Sequence, residues 1–533
     1  MTAVAERLLA PLGSPDRMLP ALRPAHLSRS LVLTTLFAIA NATAFMIVRP
    51  GVNDLWAARA RASAVSHGVG LTYWFSWFAG GSTPGNYSVL TPYLCAAISA
   101  ELVGALAAVS ITLLTAVALR GTAHPVAATA IATVAAAINL WSGRVPFLFG
   151  TAVAIVAVIA VRRQRPVIAA AVSVVCVLSS PVSAAFLALG LVGGLVAAPQ
   201  YRKISATTIA AVVLGFGLLA VAFGTPGPQT FSWTLFAEVI GALLLFLLAR
   251  PLESVRAIIV VSMFAGLAMA LVPNGMGSNF GRMMWFCLPV AVVATSRRKV
   301  WIAVLLICPV LISGANLTVT DLRDASTPVA SSWYYRPLTH ELDRISGLTN
   351  FRLEVVAEGA HAAYAALLNH AMLARGWETQ EDNALNGTLM SRTLSAASYK
   401  IWLDNNSVGY VALPRDNVQS FPEYGLVSTG NLAYLTEVWS SPDWVLYRVA
   451  NPIPIVAAPE QLLAYSQANL TIRSSCRCTF SVRVRYSKYL RADPVRRIGH
   501  TATLSSDGFG YTRMTTAVPG DYVLHGSVAE IFH

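Results

Sequence analysis

Asp54 is the residue best placed for chemistry, because it follows the first long apolar segment, 30–48, almost directly and stands beside Asn53. It is the only acidic residue in the short hydrophilic breaks that we predict to lie outside a membrane. A carboxylate at a membrane surface can accept the proton of a hydroxyl group that attacks a lipid-linked substrate. Its position also permits a structural role, in which Asp54 caps the helix that follows.

Two arginines stand at the ends of other hydrophilic breaks. Arg144 lies within 141–147, and Arg282 ends a Gly- and Asn-rich segment, 274–282, which we expect to form a flexible loop. A guanidinium group binds phosphate bidentately, and glycines allow a close backbone approach. Both arginines are therefore candidate substrate-binding residues for a lipid phosphate, and the alternative is that they only anchor the chain to lipid headgroups.

The break after the first apolar segment is unusually long and aromatic. It extends to Tyr87 through His67 and the cluster 73–78, and we take Asn53, His67 and Tyr87 as further candidate substrate-binding residues. Aromatic rings favour the headgroup level of a bilayer, so the cluster predicts an amphipathic helix in the membrane interface.

Glu101 and Glu238 are the only acids near membrane depth within the apolar segments. Carboxylates there are costly and usually face the bundle interior or a water-filled cavity. Glu238 lies about two turns from the outer end of its segment, so we expect it to reach an active-site cavity. Glu101 lies nearer the middle and could serve in a proton relay. A structural polar pair is the alternative for each.

The elements that must position these residues are membrane helices. Of the 533 residues, 55% are hydrophobic and 12% are charged, whereas a soluble domain carries about 25% charged residues. Residues 1–319 hold 20 Lys and Arg against six Asp and Glu, and residues 320–533 hold 18 against 19. The excess of positive charge lies in short breaks between apolar runs. This distribution excludes an ordinary soluble enzyme and a nucleic-acid-binding stripe.

Eleven apolar segments are candidates for the roughly 20-residue membrane-spanning helix. They are 30–48, 88–119, 122–141, 145–161, 166–180, 182–199, 204–223, 231–249, 257–272, 283–296 and 299–318. With the N-terminus in the cytoplasm, the inner segments hold 15 Lys and Arg and the outer loops hold five, as the positive-inside rule requires. We therefore predict a multi-pass plasma-membrane protein with its C-terminal part outside, and a retained signal-anchor at 30–48 rather than a cleaved signal peptide.

The pattern becomes that of a water-soluble protein near residue 320. We predict a membrane domain over 1–319, an α/β domain over 320–450 and a β-sandwich over 451–533. Helices are expected at 338–348, 360–375 and 396–405, and the alternating runs 480–486 and 522–525 predict strands. Cys476 and Cys478 could form a disulfide in an oxidising compartment.

The whole layout resembles the GT-C superfamily of membrane glycosyltransferases. The matching features are Asn53-Asp54 after the first span, the aromatic first loop through Pro84 and Tyr87, and the outer tail. The resemblance implies a polyprenyl-phosphate sugar donor, an inverting transfer and Asp54 as the catalytic residue. Many members carry a second acid beside the first, where this chain has Asn53. Segments 373–378, 399–403 and 410–414 also resemble uncharacterised actinobacterial membrane proteins, which implies a cell-envelope setting.

The sequence therefore predicts a membrane glycosyltransferase that modifies a cell-envelope glycan or lipid on the outer face of the bilayer. A transporter or flippase of lipid-linked precursors would also explain the intramembrane acids. A non-catalytic assembly protein would explain the single loop acid. No cofactor and no nucleic-acid partner are expected, and a divalent metal ion stays an open alternative.

Overall fold

The computed structural model describes residues 29–225, 227–356, 361–416, 421–496 and 501–529. Each of the eleven predicted spans coincides with helical backbone in the first part of the chain. The helices of this part are α1 (Arg29–Val48), α2 (Asn53–Ser66), α3 (Thr91–Ile98), α4 (Ala100–Ala118), α5 (Pro125–Trp141), α6 (Val145–Arg162), α7 (Pro166–Ser179), α8 (Pro181–Ala197), α9 (Arg202–Phe223), α10 (Trp233–Leu248), α11 (Glu253–Leu271), α12 (Leu288–Thr295) and α13 (Val300–Asp324).

Six helices among the described residues are long and apolar enough to cross a membrane, namely α1, α4, α6, α9, α11 and α13. The apolar helices α5, α7, α8 and α10 are shorter, at 10–17 residues. The tenth predicted span consists of a π-helix, Met283–Cys287, followed by the short α12. The fold is thus that of a multi-pass helical membrane protein, whereas the count of eleven spans is not confirmed.

The second predicted span is broken at Ser99, which has φ of +79° and accepts a hydrogen bond from the Leu102 amide. The break puts Glu101 in the first turn of α4. There its carboxylate lies 2.8 Å from Nη2 of Arg59, which belongs to α2. The sequence predicted a position of Glu101 nearer the middle of its apolar segment. Glu101 instead forms the structural polar pair that was the alternative.

The aromatic cluster of the first outer loop is not an interfacial helix. Only α2 is helical in the first half of this loop, and the cluster that follows is buried inside the outer part of the protein. The Trp77 indole donates to the carbonyl of Tyr364, and the Tyr73 hydroxyl donates to the carbonyl of Arg485. The aromatic cluster predicted a membrane interface, but its rings pack in apolar cores formed with the chain that follows α13. Large aromatic rings suit both environments, so their presence alone does not distinguish the two.

The segment after α13 contains a four-stranded mixed sheet in the order β1-β2-β4-β3. β1 pairs with β2 in parallel, and the other pairs are antiparallel. The elements are α14 (Arg336–Leu342), β1 (Arg352–Val355), α15 (Ala363–Ala366), α16 (Thr379–Met390), α17 (Ala396–Asn405), β2 (Val408–Pro414), α18 (Pro422–Val427), β3 (Leu435–Ser440) and β4 (Trp444–Val449).

The helix predicted at 360–375 is wrong beyond the single turn of α15. Residues 367–370 form a turn, and the chain then runs extended between β1 and the first outer loop. The Leu373 amide donates to the carbonyl of Ser76, and the Ala374 amide donates to that of Leu353. Such pairing partners are distant in sequence, so the local apolar pattern could not reveal them.

Two antiparallel sheets follow, in the orders β5-β6-β11-β8 and β7-β10-β9. Buried residues of both sheets, among them Ile472 and Val484, share one apolar core, as in the predicted sandwich. A disulfide joins Cys476 to Cys478. The strands are β5 (Gln461–Tyr465), β6 (Asn469–Ser474), β7 (Thr479–Arg485), β8 (Leu490–Pro494), β9 (Thr503–Ser506), β10 (Tyr511–Thr515) and β11 (Gly520–Gly526).

A glycine at the turn between α5 and α6 positions the candidate site. Gly143 has φ of +73°, and a Cβ atom there would lie 2.5 Å from the backbone nitrogen of Leu55. This close approach puts Arg144 next to the first turn of α2, which holds Asp54.

We expect Gly143→Ala to destabilise the protein by about 1–3 kcal/mol, because alanine is strained at this φ and its methyl group meets backbone. Thermal unfolding in detergent measures the effect. Gly121→Ala is the matched control, since Gly121 has φ of +80° and a methyl group there would meet no atom within 4 Å. Equal shifts in the two variants would show that the contact with α2 does not matter.

The predicted topology is tested with single cysteines in a background without native thiols. A membrane-impermeant maleimide should label Ser505→Cys on intact cells, because this exposed residue lies in the outer β-sandwich. Arg163→Cys, at the end of α6 opposite Arg144, should be labelled only after permeabilisation. Labelling in the reverse pattern would contradict the orientation.

Candidate active site

Asp54 lies in the first turn of α2 and faces two arginines. Its Oδ2 atom is 3.7 Å from Nε of Arg144 and 3.6 Å from Nη2 of Arg282. The N-cap of α2 is Val52, and no side chain caps the helix. Asp54 is therefore not the capping residue that the sequence allowed, although a negative charge in the first turn still suits the helix dipole. The start of α2, the start of α6 and the segment before the π-helix therefore meet at this carboxylate.

A second carboxylate, Asp321, joins the group from the last turn of α13. Its Oδ2 atom lies 3.5 Å from Nη2 of Arg144. The outer end of α13 is held against α5 by Thr318, whose hydroxyl donates to the carbonyl of Ile138 and contacts the Ser142 hydroxyl. The guanidinium group of Arg144 thus lies between two carboxylates, one from near the start of the membrane domain's sequence and one from its end.

These ion pairs are loose, and the arginines keep hydrogen-bonding capacity. The N···O distances of 3.5–3.7 Å exceed those of good hydrogen bonds. Nε of Arg144 is buried and has no hydrogen-bond partner among the described residues. Burial and the nearby charge of Arg282 lower the pKa of Arg144 to about 10, so it is still a cation at neutral pH. An anion that entered the site would find two guanidinium groups with unused donors.

The loop that carries Arg282 is held firmly, which corrects the expectation of a flexible loop. The Asn274 side chain accepts hydrogen bonds from the amides of Met276 and Gly277. Gln229 accepts from the side chain of Asn279 at 2.7 Å. Gly277 has φ of +45°, and a Cβ atom there would lie 2.6 Å from that of Gln229. Asn and Gly therefore serve here to build a compact turn.

A polar cavity of about 170 Å³ opens in front of Asp54 and Arg282. It lies between the outer ends of the membrane helices and the α/β part of the outer region. Its other lining residues are Ala57, Arg61, Asn86, Tyr87, Pro146, Phe147, Ser180, Pro181, Val182, Gln229, Gly275, Asn279, Trp377, Glu378, Thr379 and Gln380.

An apolar cavity of about 250 Å³ lies inside the helical bundle, lined mainly by α4, α5, α6, α8 and the 283–291 segment. On α6 it extends from Phe147 to Val158, which corresponds to about 16 Å along a helix axis. Phe147 lines both cavities. The guanidinium carbon of Arg282 is 5.5 Å from the Phe147 ring, and that of Arg144 is 6.0 Å from the Phe286 ring. Arg282 therefore lines the polar cavity beside Phe147, the residue that the two cavities share, and Arg144 lies next to it without lining either cavity.

The predicted site residues divide into two groups. Arg144, Arg282 and Tyr87 gather around Asp54 or its cavity, and Asn53 is its neighbour in the first turn of α2. His67 is exposed at the opposite end of α2, about 20 Å away. Glu238 is exposed on α10 and does not line the polar cavity. The structure thus separates His67 and Glu238 from the site.

Several residues of the site were missed in the sequence. Asp321 was assigned to the outer domain because the last predicted span ended at residue 318, whereas α13 continues to Asp324. Its position straight after the final span, like that of Asp54 after the first, was the available signal. Arg61 and Glu378 carried no local signal, because the ion pair between them joins residues more than 300 positions apart.

Metal-ligating groups are scarce in the described part of the chain. One cluster there has suitable ligand atoms close together, formed by Glu460, Cys476 and Cys478. Its two sulfur atoms are bonded to each other and so cannot act as thiolate ligands. Between Asp54 and Asp321, the guanidinium group of Arg144 already provides the positive charge.

Cryo-EM structures of the arabinofuranosyltransferase AftD from Mycobacteria are among the solved structures that align with this chain. A mutant form has a TM-score of 0.44 and 15% identity, and the alignment covers 80% of this chain and 42% of that one. Another AftD structure has a TM-score of 0.42 and 16% identity, with 79% and 40% covered. The chain spans less than half the length of these structures. The arabinofuranosyltransferase activity is that of AftD, and at this identity neither the activity nor a residue role carries over to this chain.

No protein-family model and no curated protein matches the chain.

We expect Arg282→Ala to weaken binding of undecaprenyl phosphate by roughly tenfold to a hundredfold, since a hydrogen bond to a charged group contributes about 1.5–3 kcal/mol. Native mass spectrometry of the detergent-solubilised protein measures the affinity. Arg49→Ala is the control, because Arg49 is an exposed outer-loop arginine outside the site. If both variants bind like the wild type, Arg282 is only a headgroup anchor.

Proposed function

We propose that the protein is a membrane glycosyltransferase that moves a sugar from a polyprenyl-phosphate donor to a cell-envelope glycan or lipid outside the membrane. The observation that carries this proposal is that Asp54 and Arg282, with Arg144 paired to the same carboxylate, lie at a polar cavity that shares Phe147 with an apolar one. An amphiphilic donor has the same division, with an isoprenoid chain on one side of a phosphate and a sugar on the other.

The apolar cavity is suited to the isoprenoid chain of the donor. Its lining is almost entirely apolar, and it leads from the inner part of the bundle to Phe147 and Phe286. The phosphate would then lie at Arg144 and Arg282, whose guanidinium groups stand over these two rings. The sugar would lie beyond them in the polar cavity, within reach of Asp54.

Asp54 would act as the general base of a single displacement. It accepts the proton of the acceptor hydroxyl while that oxygen attacks C1 of the donor sugar, and the bond between C1 and the phosphate oxygen breaks. The electron pair leaves with the polyprenyl phosphate, so the configuration at C1 inverts. One negative charge thereby moves from Asp54 to the phosphate, and the charge on Arg282 that had faced the carboxylate becomes available to the leaving group.

Asp321 would keep Arg144 in place during this change. It contacts Arg144 on a different nitrogen atom from Asp54. When Asp54 becomes neutral, Asp321 still compensates the buried guanidinium group, which avoids the cost of an unpaired buried charge. Asp321 is thus a positioning residue in this proposal.

The same contacts favour a transporter less than they favour a glycosyltransferase. The relay suggested by two intramembrane acids is not supported, because Glu101 is paired with Arg59 and Glu238 is exposed on α10. Transport of a lipid-linked precursor also provides no chemical reason for a carboxylate beside the phosphate-binding arginines. The non-catalytic alternative predicts that Asp54 can be replaced without consequence.

We expect Asp54→Asn to lower the transfer rate by about 10²–10⁴-fold, because the amide cannot accept the proton. The assay uses the full-length protein reconstituted in vesicles with radiolabelled polyprenyl-phosphate sugars and an envelope extract as acceptor. Binding of undecaprenyl phosphate should persist in this variant, because both arginines remain.

Asn53→Ala is the matched control, since it changes the neighbouring residue of the same helical turn without removing a proton acceptor. It should cost much less than Asp54→Asn. A near-normal rate in Asp54→Asn would exclude Asp54 as the base. Normal envelope synthesis in cells that carry only this variant would favour the non-catalytic alternative.

A further inference from the structure

The polar cavity has two chemically different walls. The membrane wall carries Arg144 and Arg282 at its edge, and the opposite wall is formed by the contiguous run from Trp377 to Gln380. This run belongs to the outer α/β part and leads into α16. The proposed function occupies the membrane wall with the donor and leaves the opposite wall without a role.

The second wall contains a buried ion pair with spare hydrogen-bonding groups. Nη2 of Arg61 is 2.8 Å from Oε1 of Glu378, and the two side chains are 4% and 5% exposed. Nη1 of Arg61 is buried and has no hydrogen-bond partner among the described residues. Both residues line the cavity, and this nitrogen is the candidate donor for a ligand that enters it.

A neighbouring carboxyl group keeps the wall from becoming strongly anionic. Glu381 accepts a hydrogen bond from the Asn86 amide at 3.4 Å. Burial and the charge of Glu378 raise the pKa of Glu381 to about 8. It is therefore mainly protonated at neutral pH, and a single negative charge, that of Glu378, faces the single positive charge of Arg61. The wall is polar and nearly neutral, with both donors and acceptors.

Trp377 adds a rigid aromatic surface to the same wall. The ring of His361 stacks on it at 3.9 Å between centroids. Burial lowers the pKa of His361 to about 4, so this stack is uncharged at neutral pH. Two positions before Trp377, Arg375 is buried against Asp382 and Glu423 at 2.5 and 3.2 Å. The backbone of the run is thus anchored, and the ring can serve as a platform.

We propose that Arg61, Trp377 and Glu378 form the acceptor subsite, and that it binds an uncharged carbohydrate rather than a phosphorylated acceptor. This inference rests on the proposed function and adds the class of acceptor to it. A sugar hydroxyl accepts a hydrogen bond from Arg61 and donates one to Glu378, which a phosphate cannot do because it lacks a donor at neutral pH. The apolar face of a sugar ring packs on Trp377.

The two walls also determine the orientation of the substrates. The donor phosphate is attracted to the arginines at the membrane edge, whereas the Arg61–Glu378 ion pair offers no net positive charge to a second phosphate. The acceptor hydroxyl that reacts must then point from the outer wall toward Asp54. Both Asp54 and Arg61 belong to α2, so a single rigid helix connects the base with the acceptor subsite.

The test uses Thr379, which is exposed and lines the cavity at the start of α16. Thr379→Arg should fill the subsite, whereas Thr388→Arg places the same change at an exposed position in the last turn of α16. Saturation-transfer NMR on the full-length protein in nanodiscs measures binding of neutral methyl glycosides of pentoses and hexoses. The 5- or 6-phosphates of the same sugars are the charged probes, and undecaprenyl phosphate reports on the donor site.

The inference is supported if a neutral glycoside binds the wild type and Thr388→Arg equally well and binds Thr379→Arg and Trp377→Leu at least tenfold more weakly. The affinity for undecaprenyl phosphate should be unchanged in all variants. Equal glycoside binding by all variants, no glycoside binding by the wild type, or a preference for the phosphorylated sugars would overturn it. None of these results affects the donor site. That site is tested separately, by undecaprenyl phosphate binding and its dependence on Arg282.

Discussion

The ion cluster of Asp54, Arg144, Arg282 and Asp321 is the interaction on which the outer end of the membrane domain depends. Its members come from the start of α2, the start of α6, the segment before the π-helix and the end of α13. A buried guanidinium group without a counter-charge costs several kcal/mol. The chain segments that carry the two carboxylates therefore have to meet Arg144 if it is to be buried, and the partly buried Arg282 joins them through Asp54. Gly143 makes the meeting possible, because no other residue fits between Arg144 and α2 without strain.

The first outer loop connects this cluster to the outer region. Trp56 donates to the carbonyl of Ala330, which itself lies against Gly51, and Trp77 donates to the carbonyl of Tyr364. Helix α2 thus belongs structurally to the membrane side through Asp54 and to the outer side through Arg61. Because this rigid helix contacts both parts, it keeps Asp54 at a constant distance from the outer region, which Asp54 itself does not contact. Movement of the outer region relative to the bundle would change the cavity between them.

The difference in polarity between the two cavities determines how an amphiphilic ligand would be oriented in the site. Apolar side chains line most of the space within the bundle, whereas the space above it has a mixed lining that includes charged and amide side chains. The arginines stand at the boundary, where the local environment changes from a hydrocarbon-like one to an aqueous one. A phosphate is stable at this boundary because it is held by cations while its lipid chain remains out of water. The resting ion pairs with Asp54 and Asp321 keep the cluster neutral without such a ligand.

Composition and spacing were sufficient for the main architecture. The long apolar runs require helices in a bilayer, because hydrocarbon offers no partners for backbone polar groups. The alternating runs after Pro454 require strands with one buried face. Asp54, Arg144 and Arg282 were also predictable as a set, since charges at the outer ends of spans share one narrow layer of the membrane.

Pairing within that layer was decided only by the tertiary structure. Glu101 and Glu238 are both acids within apolar segments, yet one meets Arg59 and the other is exposed. Asp321 and Glu378 became site residues through contacts with Arg144 and Arg61, which are distant in the chain. The sequence determined which side chains stand at the ends of apolar segments, because hydrophobicity acts on each segment separately. Which of them touch depends on how helices of unequal length pack around one another, and that depends on all segments together.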